Sequence, residues 1–189
     1  MQEAFLENFL RHLRKKQVLK EFPQNKKEIS LLDIGCGWNA ELLNDLEPYI
    51  SRGVGIDFKA PDSPSSKITT YKSYLNEALP FKNNEFDIVT MLAVLEHLEN
   101  PAAVLSEIQR VLKKDGLLIL TVPSWIAKPI LEFLAFKLGI VDKNEILDHK
   151  RYFNRYDLFD LFSNFKKLKI KKHKYFQLGC NNLLVAKID

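Results

Sequence analysis

Strands alternating with helices predict an α/β fold, built on a parallel sheet covered on both faces. Three observations point there. Apolar runs at Ile29–Ile34, Gly53–Asp57, Phe86–Met91 and Leu117–Val122 have the length and composition of buried strands. Helical patterns fill intervals between them, at Ala40–Tyr49 and Pro101–Lys113. The first run breaks into Gly35-Cys36-Gly37, and the second closes on Asp57. An apolar run that ends in glycine-X-glycine reads as a buried strand turning sharply into a helix. Neither glycine carries a Cβ, so the backbone can come close to a ligand. Asp57, 20 positions past Gly37, stands at the tip of the next parallel strand. A carboxylate there can accept both hydroxyls of a ribose. The first half of the chain is therefore expected to hold a nucleoside.

The elements follow in order. Glu3–Lys20 is expected to be an amphipathic helix. Phe5, Phe9 and Leu13 recur every four residues with Leu6 and Leu10 beside them. Arg11, Arg14, Lys15 and Lys16 crowd toward its end, where cations suit the helix dipole. Pro23–Lys27 is a break, so residues 1–28 read as an N-terminal helix and 29–189 as the body of a single domain. APDSPSS, Ala60–Ser66, is a loop by composition. Ile68–Tyr71 is a candidate third strand. Pro at the first turn of Pro101–Lys113 suits a helix start, and Val104, Leu105, Ile108, Val111 and Leu112 give it an apolar face. Gly116 ends that connection. After Pro123 come an apolar helix, Lys128–Leu138, and an aromatic stretch around Tyr152–Phe165. Two last strand-like runs, Leu168–Phe176 and Asn182–Ile188, are short and close enough to pair as an antiparallel hairpin.

Bulk properties narrow the class. At 189 residues, 46% hydrophobic and 28% charged, the chain has the make-up of a globular protein with a full core. A net charge of +4 is mild and does not call for nucleic acid. No aromatic stacking platform or RNA motif adds to it, so no specific nucleic acid is expected. The alternating KKLKIKKHK run, Lys166–Lys174, reads as a half-buried strand with a solvated face. Together with the basic N-terminal helix it leaves peripheral contact with an anionic surface open. The opening residues hold no clean apolar signal region, and no stretch approaches a membrane span. Two cysteines, one inside the glycine turn, fit a reducing compartment, so a cytoplasmic location is expected. Four scattered histidines and two distant cysteines offer no metal-ligand spacing, and no metal is expected.

Several motifs occur together and carry a family resemblance. DIGCG, Asp33–Gly37, resembles the first motif of class I S-adenosylmethionine-dependent methyltransferases, and the Asp57 strand end resembles the second. NEALPFKNNEFDIV, Asn76–Val89, is similar to that family's loop and fourth strand. VLEHLENP, Val94–Pro101, resembles the helix after it, and IQRVLKKDGLLILTVPS, Ile108–Ser124, the next helix and fifth strand. HKRYFNRYDLFDLF, His149–Phe162, resembles the segment before the last helix in many small-molecule members.

The resemblance implies a Rossmann-like, doubly wound, seven-stranded sheet in an α/β/α sandwich, with its last strand antiparallel. It implies S-adenosylmethionine as cofactor, S-adenosylhomocysteine as product, and a small-molecule or lipid-like acceptor. Cofactor contacts are expected from Asp33, Gly35, Cys36, Gly37, Asp57, Phe58, Leu75, Asn76, Met91, Leu92 and Ala93. His149, Tyr152 and His97 are the candidates for catalytic work on the acceptor. Glu96 is expected to cap or pair locally. Phe133, Phe136, Tyr152, Phe153, Tyr156, Phe159 and Phe162 either line an apolar acceptor pocket or pack the C-terminal helices on the core.

Two positions depart from the family pattern. Asn39 stands where a third glycine is common; asparagine tolerates the left-handed conformation better than most residues. Tyr74 stands where an aspartate often binds the adenine amino group. A catalytically inactive binder of the same cofactor is thus an alternative. Gly35, Gly37 and Ala40 also satisfy the G-x-G-x-x-A pattern of nicotinamide-dinucleotide proteins, although the charge of Asp33 opposes a pyrophosphate.

Overall fold

The computed structural model describes residues 2–23, 26–62, 65–75, 78–140 and 143–189, and side chains within them apart from those of 2–8 and 145. The amphipathic stripe assigned to Phe5 and Leu6 therefore lies outside the described side chains. Seven strands form one sheet: β1 (Ser30–Ile34), β2 (Arg52–Asp57), β3 (Ile68–Lys72), β4 (Phe86–Leu92), β5 (Leu112–Pro123), β6 (Leu168–Phe176) and β7 (Asn181–Ile188). Their order is β3-β2-β1-β4-β5-β7-β6. β1 to β5 run parallel, and β7 inserts antiparallel between β5 and β6. The order reverses between β1 and β4. At such a switch point the loops leave the carboxyl ends in opposite directions and open a crevice for a ligand.

Apolar residues alternate across the central strands and build a core on each face. Leu32, Ile34, Val89, Met91, Leu118 and Leu120 point to one side. There they meet Val104, Leu105, Ile108 and Val111 of α3 (Pro101–Val111) and Leu158 and Phe162 of α6 (Arg155–Ser163). Leu31, Ile88 and Ile119 point to the other, against Leu42, Leu43 and Leu46 of α2 (Glu41–Leu46) and Val18 of α1 (Gln2–Lys20). α1 is fastened by ion pairs from Arg11 to Glu41 and from Lys15 to Asp45, and by Lys174 Nζ donating to Gln17 Oε1 at 2.6 Å.

Three elements differ in extent from the pattern reading. The Ala40–Tyr49 helix divides into α2 and a 3-10 turn, Glu47–Tyr49, because Pro48 has no N–H to continue the ladder. β5 begins at Leu112, in the span read as helix, with a bulge between the Phe86–Leu112 and Ile88–Leu117 pairs. The Lys128–Leu138 helix is α4 (Ala127–Phe133) running into a wider π turn, Leu134–Leu138. A short α5 (Lys143–Asp148) follows, which composition did not mark.

Buried polar groups pin the frame. Asp87 on β4 is 5% exposed and accepts from Lys26 Nζ at 2.6 Å, Lys113 Nζ at 3.0 Å and Ser30 Oγ at 2.6 Å. Asn182 on β7, fully buried, donates to the carbonyls of Val122 and Phe153, which ties the segment before α6 to the end of β5. β6 forms one edge of the sheet and carries Lys169, Lys171, Lys172 and Lys174, with a bulge between Ile170 and Lys172. Among the described residues no helix is long and apolar enough to cross a membrane.

Candidate active site

The glycine turn folds directly onto the end of β2. Gly35 and Cys36 donate their N–H groups to the Ile56 carbonyl at 2.8 and 3.3 Å. Gly35 and Gly37 both adopt positive φ, +78° and +68°, which glycine reaches without a Cβ penalty. Asp57 Oδ2 accepts the Gly37 N–H at 3.0 Å, and Oδ1 accepts the Lys59 N–H at 2.8 Å. The carboxylate and the turn are thereby held in one geometry at the carboxyl ends of β1 and β2.

A Cβ on Gly35 would sit 2.2 Å from Val94 Cγ2. The turn is thus packed against the segment after β4. Ala93, in that segment, has φ 56° and donates its N–H to the Thr121 carbonyl at 2.9 Å. Non-glycine residues in this region store strain, which concentrates at functional loops. The left-handed residue before α2 is Ala40, φ 45°, and not Asn39 as the motif comparison led one to expect. Asn39 instead offers its carbonyl to Asn44 Nδ2 at 2.9 Å.

Asp33 is 2% exposed, on the last turnings of β1, and accepts from Thr90 Oγ1 at 2.7 Å. Burial raises its pKa to about 7; the Thr90 hydrogen bond works against this, and the Asp57 charge adds to it. The Cys36 thiol is pushed far above its usual value by burial and by the charges of Asp33 and Asp57. It is a packing group and not a nucleophile.

The remaining expected cofactor residues fall in different settings. Phe58 is 56% exposed at the end of β2 and stacks on Tyr74, 71% exposed, with ring centroids 5.8 Å apart and planes 9° from parallel. Leu75 packs against the core. Asn76 lies outside the described residues. Met91 is fully buried in the core, so only its backbone faces the crevice end of the sheet; Leu92 is half-buried on the opposite face.

The three acceptor-side candidates come together. His97 ends the 3-10 turn Leu95–His97, and its Nδ1 lies 2.8 Å from Asp148 Oδ2 at the end of α5. The His97 and His149 rings meet edge to face, with centroids 4.8 Å apart. His149 Nδ1 is 3.2 Å from Tyr152 Oη. Two backbone bonds bring this segment in: the Lys150 N–H donates to the Glu96 carbonyl at 3.0 Å and the Phe153 N–H to that of Pro123 at 3.2 Å. Burial, then the neighbouring His97 charge, lowers the His149 pKa to about 4, against a weaker opposing pull from Asp148. The Tyr152 phenol is raised by burial, then by Glu132 and Glu96. Glu96 is 1% exposed, and one carboxylate oxygen of it lies with a ring nitrogen of each histidine inside a 4.8 Å group.

A family model described as a methyltransferase domain matches residues 4–167. The chain belongs to the class I S-adenosylmethionine-dependent methyltransferase family. Among curated proteins, this methyltransferase-domain chain is 38% identical over 108 residues to an uncharacterised protein of Methanocaldococcus jannaschii. That stretch is 56% of this chain and 45% of the relative. It is 32% identical over 118 residues to a ubiquinone biosynthesis O-methyltransferase of Rhodopseudomonas palustris, covering 53% of this chain and 44% of that protein. The chain thus spans less than half the length of these curated relatives. Its fold matches a chain of the Haloferax volcanii complex that contains the Trm112 methyltransferase activator, with TM-score 0.75 at 16% identity over 98% of this chain and 93% of that one. A SAM dependent methyltransferase from Aquifex aeolicus matches with TM-score 0.65 at 17% identity over 93% and 89%.

Within the methyltransferase frame, three groups near the candidate residues escaped the motif reading. Asp148 holds His97. Trp125 lies 6.4 Å from the Tyr152 ring and donates Nε1–H to Asp157 at 3.1 Å. Trp38, inside the glycine turn region, is 73% exposed. An aromatic residue next to a glycine motif was the available signal for Trp38. The partners of His97 had no local signal, since Asp148 lies 51 positions away.

Proposed function

We propose that this chain transfers the methyl group of S-adenosylmethionine to a hydroxyl of a small or lipid-like acceptor. The observation that carries the reading is the joint held by Asp57, Gly35 and Gly37 at the switch point of the sheet, with the buried Asp33 beneath it. In this reading Asp57 accepts the ribose hydroxyls, and an ionised hydrogen bond of that kind contributes about 1.5–3 kcal/mol. Phe58 and Tyr74 offer an aromatic surface to the adenine. Asp33 faces the cationic end of the cofactor. A sulfonium cation suits a carboxylate where a pyrophosphate would be repelled, which favours this cofactor over a dinucleotide.

The cofactor supplies an activated methyl group. The protein's work is to hold the acceptor oxygen in line with it, at roughly 3–3.5 Å, and to exclude water. His149 and Tyr152 are proposed to contact the acceptor, with His97 and Trp125 beside them. Ile126, Ile130, Phe133 and Phe136 leave an exposed apolar strip next to this end of the chain, which suits an apolar acceptor. Likeness to a ubiquinone biosynthesis O-methyltransferase supports an oxygen nucleophile on such a molecule.

Calorimetric titration with S-adenosylhomocysteine, with NAD run alongside, tests the reading. Micromolar binding of S-adenosylhomocysteine alone is expected. A folded sample that binds NAD instead would overturn it.

A further inference from the structure

The fold gathers Glu96, His97 and His149 from two segments that the sequence keeps 52 positions apart. One ligand atom from each, two imidazole nitrogens and a carboxylate oxygen, lies within 4.8 Å of the others. Two histidines and one carboxylate are the donor set of catalytic zinc and of several other first-row metal sites, which leave a position open for a further ligand. Bonds of about 2.0–2.2 Å to a tetrahedral ion place such donors about 3.3–3.6 Å apart.

The surroundings are those of a built site. Asp148 Oδ2 at 2.8 Å from His97 Nδ1 fixes that ring and leaves Nε2 for a ligand bond. A carboxylate behind a ligating histidine fixes its tautomer and raises its basicity. Tyr152 Oη, 3.2 Å from Nδ1 of His149, is placed to orient that ring. Glu96 is 1% exposed, and a carboxylate withdrawn that far from water gains most from a cation. The Lys150 N–H to Glu96 carbonyl bond clamps the two segments together at 3.0 Å.

We propose that Glu96, His97 and His149 bind one divalent transition-metal ion of the zinc class, with Asp148 and Tyr152 orienting the two imidazoles. The inference rests on the methyl-transfer reading only for its use. An open position on the ion is where an acceptor hydroxyl would bind and lose its proton to solvent. The oxygen lone pair then forms the bond to the methyl carbon, and the C–S pair returns to sulfur. Metal binding itself does not depend on that step.

The test uses untagged protein, treated with chelator and then titrated with Zn2+ by calorimetry and with Co2+ by visible absorption. The expected result is one equivalent bound, with Co2+ bands of a nitrogen/oxygen site. His97→Ala and His149→Ala should each weaken binding by more than about 100-fold, and Asp148→Asn by about ten-fold. His12→Ala, on the exposed face of α1, should change nothing. Circular dichroism and S-adenosylhomocysteine affinity are read on the same samples. If His149→Ala does not fold, His97→Ala carries the comparison. Folded protein that takes up no metal, or takes it up equally in the His97→Ala variant, overturns the site. Loss of S-adenosylhomocysteine binding in the parent overturns the methyl-transfer reading instead.

Discussion

Phe58 and Tyr74 stack across the ends of β2 and β3, 5.8 Å between ring centres and 9° from parallel, although both rings are more than half exposed. Two solvent-facing aromatics held parallel beside Asp57 present a flat surface of the kind a purine covers. Base–aromatic stacking is worth roughly 1–3 kcal/mol by alanine substitution. Tyr74→Ala is therefore expected to weaken S-adenosylhomocysteine binding about five-fold or more, and Tyr74→Phe to leave it nearly unchanged. Equal affinity of Tyr74→Ala and parent, measured by calorimetry, would show that adenine is held elsewhere.

Asp57 spans the site differently, since it also secures the Gly37 amide. Asp57→Ala is expected to lower cofactor affinity about ten-fold or more, while the circular dichroism spectrum stays that of the parent. An unchanged affinity would remove Asp57 from the ribose assignment.

Asp33 should make cofactor binding depend on pH. Burial raises its pKa in the free protein to about 7, which favours the protonated form well above the usual carboxylate range. A sulfonium cation favours the ionised form, so binding S-adenosylmethionine expels that proton. Affinity should then rise about ten-fold from pH 6 to 8 and level off above. S-adenosylhomocysteine has no sulfonium charge and should show a smaller rise. Identical pH profiles for the two ligands would contradict the placement of Asp33. The same shift has an opposite effect on the fold. A carboxyl whose folded pKa is raised costs stability as pH climbs from about 4 to 7, because the unfolded chain ionises first. Asp33→Asn should thus stabilise the free protein by about 1–3 kcal/mol at pH 8 and by little at pH 4, in denaturant melts at both values.

Asp87 runs the other way. Burial alone would raise its pKa, but bonds from Lys26, Ser30 and Lys113 outweigh it and hold the value well below the usual range. A depressed carboxyl contributes stability that is complete above the unfolded pKa near 4 and is lost as pH falls below it. Asp87→Ala should cost about 2–4 kcal/mol at pH 7, because two lysines and a serine lose their common acceptor. The deficit should shrink on acidification toward pH 3. A pH-independent deficit in urea melts would mean that packing, and not the charge, is what Asp87 supplies.

What the sequence made legible was local in origin. The glycine turn, the Asp57 strand end and the Leu168–Ile188 hairpin each depend on residues close together in the chain, and their patterns read directly. The early start of β5 did not read, because it rests on one long-range pair, Leu112 with Phe86, followed by a bulge that takes up Lys113–Gly116 before pairing resumes at Leu117. Ala40 in place of Asn39 as the left-handed residue reflects the demand of the strand-to-helix angle over residue preference. The meeting of His97, Asp148 and His149 was invisible for a different reason. It is made by backbone bonds from 150 and 153 to carbonyls on two other segments, and such docking leaves no periodic trace.

The lysines of β6 have a bearing on how the molecule keeps company. A strand at the rim of a sheet exposes a row of unpaired amides and carbonyls to any other chain. Here an incoming strand would find closely spaced ammonium groups and a backbone whose spacing is broken after Ile170. Charge and a broken register both make strand addition unfavourable. The rim therefore guards the protein against fibril-like stacking at high concentration, and neutralising those lysines should expose it to that fate.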